Sequence, residues 1–229
     1  MFKLRLIELV AVALHQIGAL LFDLDFRLHD GDVDNIVNWK PDGDPGDSLL
    51  GRTFFVHGKY QDSDIYPEGM ADVVGYWAED RILGGVCLFD RNDSKPTYTD
   101  ADLPNIYFHS CRDKVTFRIY QLRDDQQDAL TDFLLADAPS ENSSPLPILG
   151  DKQNRVRVDD LFAIVREKIY RDLWERRPAT NEERRFMERR PHDEIDYPEI
   201  RDEIFRINAQ LGIPLPPKAA RTPSPPMDG

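Results

Sequence analysis

A chain of 229 residues, 41% hydrophobic and 31% charged, is long enough to bury a core and suits a globular protein with polar extensions. Its formal net charge of -13 is concentrated: eight aspartates face only Arg27 and Lys40 between Asp23 and Asp47, and every charge between Gln61 and Asp80 is acidic. Such a surface repels phosphate backbones, which argues against nucleic acid and favours a basic protein partner or cation over a membrane.

Two cysteines, Cys87 and Cys111, are too few for a fold stapled by disulfides. The expectation is a reducing, intracellular and cytoplasmic setting with two buried thiols. A Cys87–Cys111 bridge stays open, because both lie near strands able to pair.

At the N-terminus, Lys3 and Arg5 precede an apolar run, but Glu8 interrupts it too early for a signal peptide. Arg5, Glu8 and His15 recur at helical spacing as a narrow polar stripe. Leu6, Leu9, Val10, Leu14, Ile17 and Leu21 fill the remaining face. That pattern predicts a largely buried helix inside a globular core, not a membrane span. Residues 23–51, rich in Asp, Gly and Pro, read as an acidic surface loop.

Thr53 to His57 reads as a short strand, and Ala71 to Arg81 as a helix with Val73 and Trp77 one turn apart. Ile82 to Phe89 is apolar on both faces, as a central strand is, and Gly84-Gly85 points to close approach by another backbone. Asn105–Ser110 and Val115–Leu122 read as strands joined by a tight turn. In the second, Val115, Phe117 and Ile119 alternate with Thr116, Arg118 and Tyr120, which predicts one buried and one polar face.

A helix is expected from Asp124 to Ala136, followed by a proline-rich loop over residues 138–150. Another is expected after Asp159-Asp160, burying Leu161, Phe162, Val165, Ile169 and Leu173 before Pro178. A last one spans Pro198 to Leu211 and buries Ile200, Ile204, Ile207 and Leu211. Residues 213–229 hold too little apolar surface to fold and read as a disordered, proline-rich tail. The fold class is therefore α+β. A small antiparallel sheet of about four strands packs with about five helices in one domain, 1–212.

No motif of high chemical specificity is present. Asp30-Gly31-Asp32-Val33-Asp34 opens like a calcium loop, but Asn35 replaces the turn glycine and Pro41 the closing glutamate. The five histidines (His15, His29, His57, His109, His192) show no zinc-ligand spacing, so no metal and no cofactor is expected. His109, Ser110 and Cys111 are strand neighbours on alternating faces, which is no nucleophile–base pair. The three Arg-Arg pairs between Arg176 and Arg190 are interleaved with glutamate and read as a solvated helix.

The densest polar constellation runs from His57 to Asp80. A pocket of His57, Asp72, Glu79 and His109 would suit general acid–base work. Tyr60, Asp64, Tyr66, Glu68, Tyr76 and Trp77 would equally form an acidic, aromatic binding surface. The plainer alternative puts the aromatics in the core and the acids in water. The leading expectation is a non-catalytic interaction or accessory protein that takes a basic partner on this surface. A small enzyme or small-molecule binder is the rival.

The run from Tyr66-Pro67-Glu68-Gly69-Met70 through Gly84-Gly85-Val86-Cys87-Leu88-Phe89-Asp90-Arg91, with Asn105 to Ser110, resembles the signature stretch of an uncharacterised filamentous-fungal protein family. The resemblance covers about the middle third of the chain. It implies a fungal intracellular protein and carries over no catalytic residue.

Overall fold

Val86 to Phe89 is a short run of apolar residues flanked on both sides in space, and with Asp90 it forms an inner strand of the sheet. The computed structural model describes residues 2–24, 55–91, 106–136, 144–182, 184–185 and 193–211. The acidic loop from residue 25 on, residues 53–54, the first part of the 138–150 loop, His29, His192 and the 213–229 tail lie outside them.

Among the described residues, five helices and a five-stranded antiparallel sheet make a mixed α+β fold. In chain order these are α1 (Phe2–Asp23), α2 (Met70–Leu83), β1 (Val86–Asp90), β2 (Ile106–His109), β3 (Ile119–Gln121) and α3 (Asp124–Leu135). Then come β4 (Arg157–Val158), the single turn α4 (Asp160–Phe162), a π-turn (Ala163–Glu167), β5 (Ile169–Tyr170) and α5 (Glu199–Leu211). The strand order is β4-β3-β2-β1-β5. Val86 pairs with His109 and Phe89 with Ile106, while Phe89 and Asp90 pair with Tyr170 and Ile169 on the other side.

Strand alternation sends β1 into two cores. Cys87 and Phe89 join Ile7, Ala11, Phe108, Tyr120 and Leu130 on one face. Val86 and Leu88 join Tyr60, Tyr66, Tyr76, Tyr107 and Ile119 on the other. A period of two with both faces covered is the reason β1 reads as apolar throughout.

Helix α1 packs along α2 through Ile7, Ala11, His15, Gly18 and Ala19. Two glycines permit this approach. A Cβ on Gly18 would stand 2.9 Å from the Ala78 Cβ, and one on Gly75 would stand 2.8 Å from three atoms of the His15 ring. Gly84 caps α2 in the left-handed region (φ 109°). A side chain there would strike the Ile148 carbonyl, whose own amide donates to Leu83 O at 2.8 Å.

Several expectations are corrected. Ile82 and Leu83 belong to α2, and the strand starts only after the Gly84 cap. His57 makes an isolated bridge to Tyr60, not a strand. The second hairpin strand shrinks to β3, because Thr116 and Arg118 turn inward to hold Asp196 and the Arg157 carbonyl. The helix expected to run to Leu173 stops after one turn. Its chain widens into the π-turn, reverses at Lys168 (φ 57°) and pairs with β1, leaving Val165 and Leu173 exposed.

Ile204, Ile207 and Leu211 are exposed on α5, which is tied down near its N-terminus by the Arg118–Glu199 pair and by Arg118 over the Tyr197 ring. The face assignment of α1 is corrected in part: His15 is buried and Leu9, Ile17 and Leu21 are exposed, while Arg5 is exposed and Leu14 packs against the core as expected. By length and composition α1 is apolar enough to cross a membrane. Apolar count alone misplaces its buried face, because the inward positions are chosen for small size and for one ion pair.

The Gly75 contact yields a test with a diagnostic sign. Gly to Ala inside a helix ordinarily stabilises by up to about 1 kcal/mol. Gly75→Ala is expected instead to destabilise by about 1–3 kcal/mol through overpacking against a ring that cannot retreat, read as a lower denaturant midpoint at unchanged slope.

Candidate functional site

Asp72, Tyr76 and Glu79 recur at intervals of four and three residues, so α2 presents them on one face toward α1 and the sheet. His15 enters from α1. Its Nε2–H donates to Asp72 Oδ1 at 2.9 Å and its Nδ1–H to Glu79 Oε1 at 3.1 Å. Arg171 Nη1 reaches the same Glu79 oxygen at 2.6 Å, and the Cys87 amide donates to Glu79 Oε2 at 3.2 Å. Two carboxylates thus face two cations once His15 is an imidazolium.

Burial alone would lower the His15 pKa. The hydrogen bonds to Asp72 and Glu79 outweigh it and hold the pKa above its ordinary value. Burial would likewise raise Glu79, yet Arg171 and His15 bring it below the usual carboxylate range. The 3.4 Å approach of Arg171 Nη2 to His15 Nδ1 is then a contact between like charges, working against protonation.

A second group sits beyond the tyrosines. Tyr76 meets the His15 ring edge-on at 4.5 Å and stacks on Tyr60 at 4.5 Å. Tyr60 Oη lies 3.2 Å from His109 Nδ1, and the His57 and His109 rings are 5.4 Å apart. His57 accepts from the Lys59 amide at Nδ1 and donates through Nε2 to the His109 carbonyl. Burial drives its pKa down to about 4 and pushes His109 well below the usual range. Both rings are neutral and sealed from solvent.

The four residues proposed for acid–base work therefore divide: Asp72 and Glu79 join His15 and Arg171, while His57 and His109 join Tyr60. Of the proposed binding residues, Tyr60, Tyr66 and Tyr76 are core side chains, so the aromatic part of that surface faces inward. Trp77 lies across α2 against Phe55 at 4.8 Å. Asp64 pairs with Arg177, and Glu68 stays exposed. Ser110 donates to Asp80 at 2.9 Å, and both cysteines are free, Cys87 buried and Cys111 exposed. Among the described residues no group of three His, Cys, Asp or Glu is arranged to hold a metal ion.

Among the described residues, two of the recesses that open to solvent stand near these groups. One, of about 120 Å³, is walled by Trp174, Pro67 and Val12 and floored by Glu68, Asp72, Asp172, His15 and Arg171. The other is a cleft of about 620 Å³ between the Gly58–Asp62 turn, residues 160–165 and residues 173–180. The larger volume falls inside the range of about 300–1,000 Å³ typical of ligand sites, and the smaller one falls below it.

The cleft contains buried polar groups with unmet hydrogen bonds. Asp160, its side chain 5% exposed, pairs through Oδ2 with Lys59 Nζ at 2.7 Å, while Oδ1 has no hydrogen-bond partner among the described residues. Arg176, 8% exposed, donates Nη1 to the Asp160 carbonyl at 3.2 Å and leaves Nε and Nη2 without one. Behind it, Glu175 is held by the Arg171 and Asp172 amides at Oε2, with Oε1 3.7 Å from Arg176. Burial raises the Glu175 pKa, against the pull of Arg176 and the two amides.

The π-turn builds the apolar wall: Ile164 and Val165 line the cleft, as Leu161 and Leu173 do. Single π-turns occur often at functional sites. Sequence reading passes over this cleft, because Arg176 resembles one more charge in a solvated run. The one available signal is its position just after Leu173-Trp174, an apolar approach that a solvated face does not need. Comparison of the chain with protein families, with curated proteins and with solved structures returned no match.

The His15 network fixes a pH dependence. A group whose pKa is raised on folding adds stability that is complete below its unfolded value near 6.5 and is lost as pH rises through the folded value. Asp72 and Glu79, both depressed, add stability that is lost as pH falls through their folded values. The stability advantage of the native protein over a His15→Gln variant is therefore expected to be largest in mildly acidic solution. It should shrink as pH rises through the folded His15 value, read by chemical denaturation.

Proposed function

We propose that this chain is a non-catalytic binding protein whose ligand seats in the 620 Å³ cleft. The observation that supports this reading is the volume of the cleft together with the buried Arg176 and Asp160 in its wall, where Arg176 Nε and Asp160 Oδ1 have no hydrogen-bond partner among the described residues. Unmet buried polar groups cost free energy, so a fold keeps them where a ligand or ordered water completes them. Catalysis by the histidines is disfavoured, because His57 and His109 are sealed and neutral and His15 is held between two carboxylates. An acid–base catalyst needs solvent or substrate within reach of its proton.

The test is a fragment screen on the isotopically labelled full chain, observed by amide chemical shifts. Binding fragments are expected to move signals from residues 160–165 and 173–180. Hits that cluster elsewhere, or an absence of hits, would remove the cleft from consideration.

A second reading, capture of a basic protein partner, is favoured by the smaller recess, where Trp174 stands beside Glu68, Asp72 and Asp172. A cationic side chain gains from an aromatic face and from carboxylates together. The double variant Glu68→Lys with Asp172→Lys changes two carboxylates without touching the core. It is expected to lose proteins that co-purify with the native chain, and an unchanged set would exclude this reading.

A further inference from the structure

Helix α1 turns an apolar face to solvent. Phe2, Leu9, Ile17, Leu20 and Leu24 are each more than half exposed, and Ala13 is exposed between them. At 3.6 residues per turn they fall, with the half-buried Leu6, inside an arc of about 80°. The helical path continues through Leu24, whose amide donates to Leu20 O at 2.9 Å. The opposite face is the one packed on α2, through Ile7, Ala11, His15 and Gly18. With Val12 on its border, the bare face amounts to on the order of 700 Å² of apolar surface, where the largest patch on a typical monomer has roughly 300–600 Å². A standard interface takes about 800 Å² from each partner, so this one helix nearly suffices for a dimer.

The spacing of the stripe indicates what covers it. From Phe2 to Leu24 the steps are four, three, four, four, three and four residues, which read the same in either direction. A second copy of the helix, turned end for end about a two-fold axis at Ala13, therefore sets Phe2 against Leu24, Leu6 against Leu20 and Leu9 against Ile17. Ala13 meets its own copy at the centre, where a small side chain lets the helix axes come close. Arg5 and Asp23 lie on one edge of the stripe, near its opposite ends. The end-for-end turn brings like edge to like edge, so Arg5 of each copy comes beside Asp23 of the other. A parallel pair would instead gather Lys3 and Arg5 of both copies at one end.

Charge favours the same partner. At a net charge of -13 most of the surface repels a second copy, whereas in α1, outside the buried His15, Lys3 and Arg5 cancel Glu8 and Asp23. A lipid surface fits less well. Helices that lie in a bilayer interface carry Lys and Arg along the polar face, and here both basic residues sit at one end.

We propose that two copies of this chain associate through α1, antiparallel about a two-fold axis at Ala13 and tied at each end by an Arg5–Asp23 pair. This pairing is independent of the cleft, to whose lining α1 contributes nothing.

Sedimentation equilibrium of the full chain tests it. A dimer is expected at micromolar concentration. Ala13→Glu, at an exposed position, is expected to weaken it about a hundredfold or more and to leave the circular dichroism spectrum unchanged. Arg5→Asp alone is expected to weaken it about tenfold, since two pairs are reversed at once, and adding Asp23→Arg is expected to restore it. A native chain monomeric throughout the micromolar range would overturn the proposal, and its flotation with phosphatidylcholine vesicles would assign the face to lipid. A dimer indifferent to Ala13→Glu would place the contact elsewhere. Failure of Asp23→Arg to rescue Arg5→Asp would overturn the antiparallel pairing.

Discussion

The Glu79 carboxylate is the point on which the described fold converges. It sits on α2, fully buried, and receives the His15 imidazole from α1, the Arg171 guanidinium from the segment after β5 and the Cys87 amide from β1. Four separate stretches of chain are thus held by two oxygens. A buried ion pair of this kind is weak evidence for stability, since desolvation opposes the attraction. Its effect is on arrangement. Any packing that leaves Glu79 without Arg171 strands a charge in the core, so the relative placement of α1, α2 and the 169–176 segment is narrowly specified.

That constraint reaches the cleft. Arg171 is fixed by Glu79, Glu175 is fixed by the Arg171 and Asp172 amides, and Arg176 follows on the next bond of the chain. The guanidinium in the cleft wall is therefore positioned by the buried network at Arg171, Asp172 and Glu175, one to five residues upstream of it. The same network accounts for the early end of α4. To deliver Ile169 and Tyr170 to β1 and Arg171 to Glu79, the chain leaves the helical path at the π-turn, and Val165 and Leu173 turn outward as a result.

Elements with a strong local signal were legible in the sequence. The start of α2, the α3 boundaries, the β2–β3 pairing and the close approach at Gly84 follow from periodicity, turn residues and glycine chemistry. What was not legible depends on distant partners. His15 looks like part of a polar stripe until Asp72 and Glu79 are placed beside it. Leu161 to Leu173 has helical spacing that strand pairing overrides, and α5 has an apolar stripe that remains exposed. Of the candidate site, His57 and His109 do come together, but as a sealed neutral pair. Tyr60, Tyr66 and Tyr76 belong to the core, and Arg176 and Asp160 carry no sequence mark apart from an apolar approach.

Of the five tyrosines buried among the described residues, Tyr60, Tyr66, Tyr76 and Tyr120 have their pKa lifted by desolvation well above the ordinary phenol value. They represent half of the eight in the chain. In ultraviolet absorption the phenolate is distinct from the phenol, so alkaline titration of the folded protein develops only part of its tyrosinate band. The remainder appears when the core admits solvent. The stacked pair that joins the two polar groups thus acts as a built-in optical gauge of whether the interior is closed.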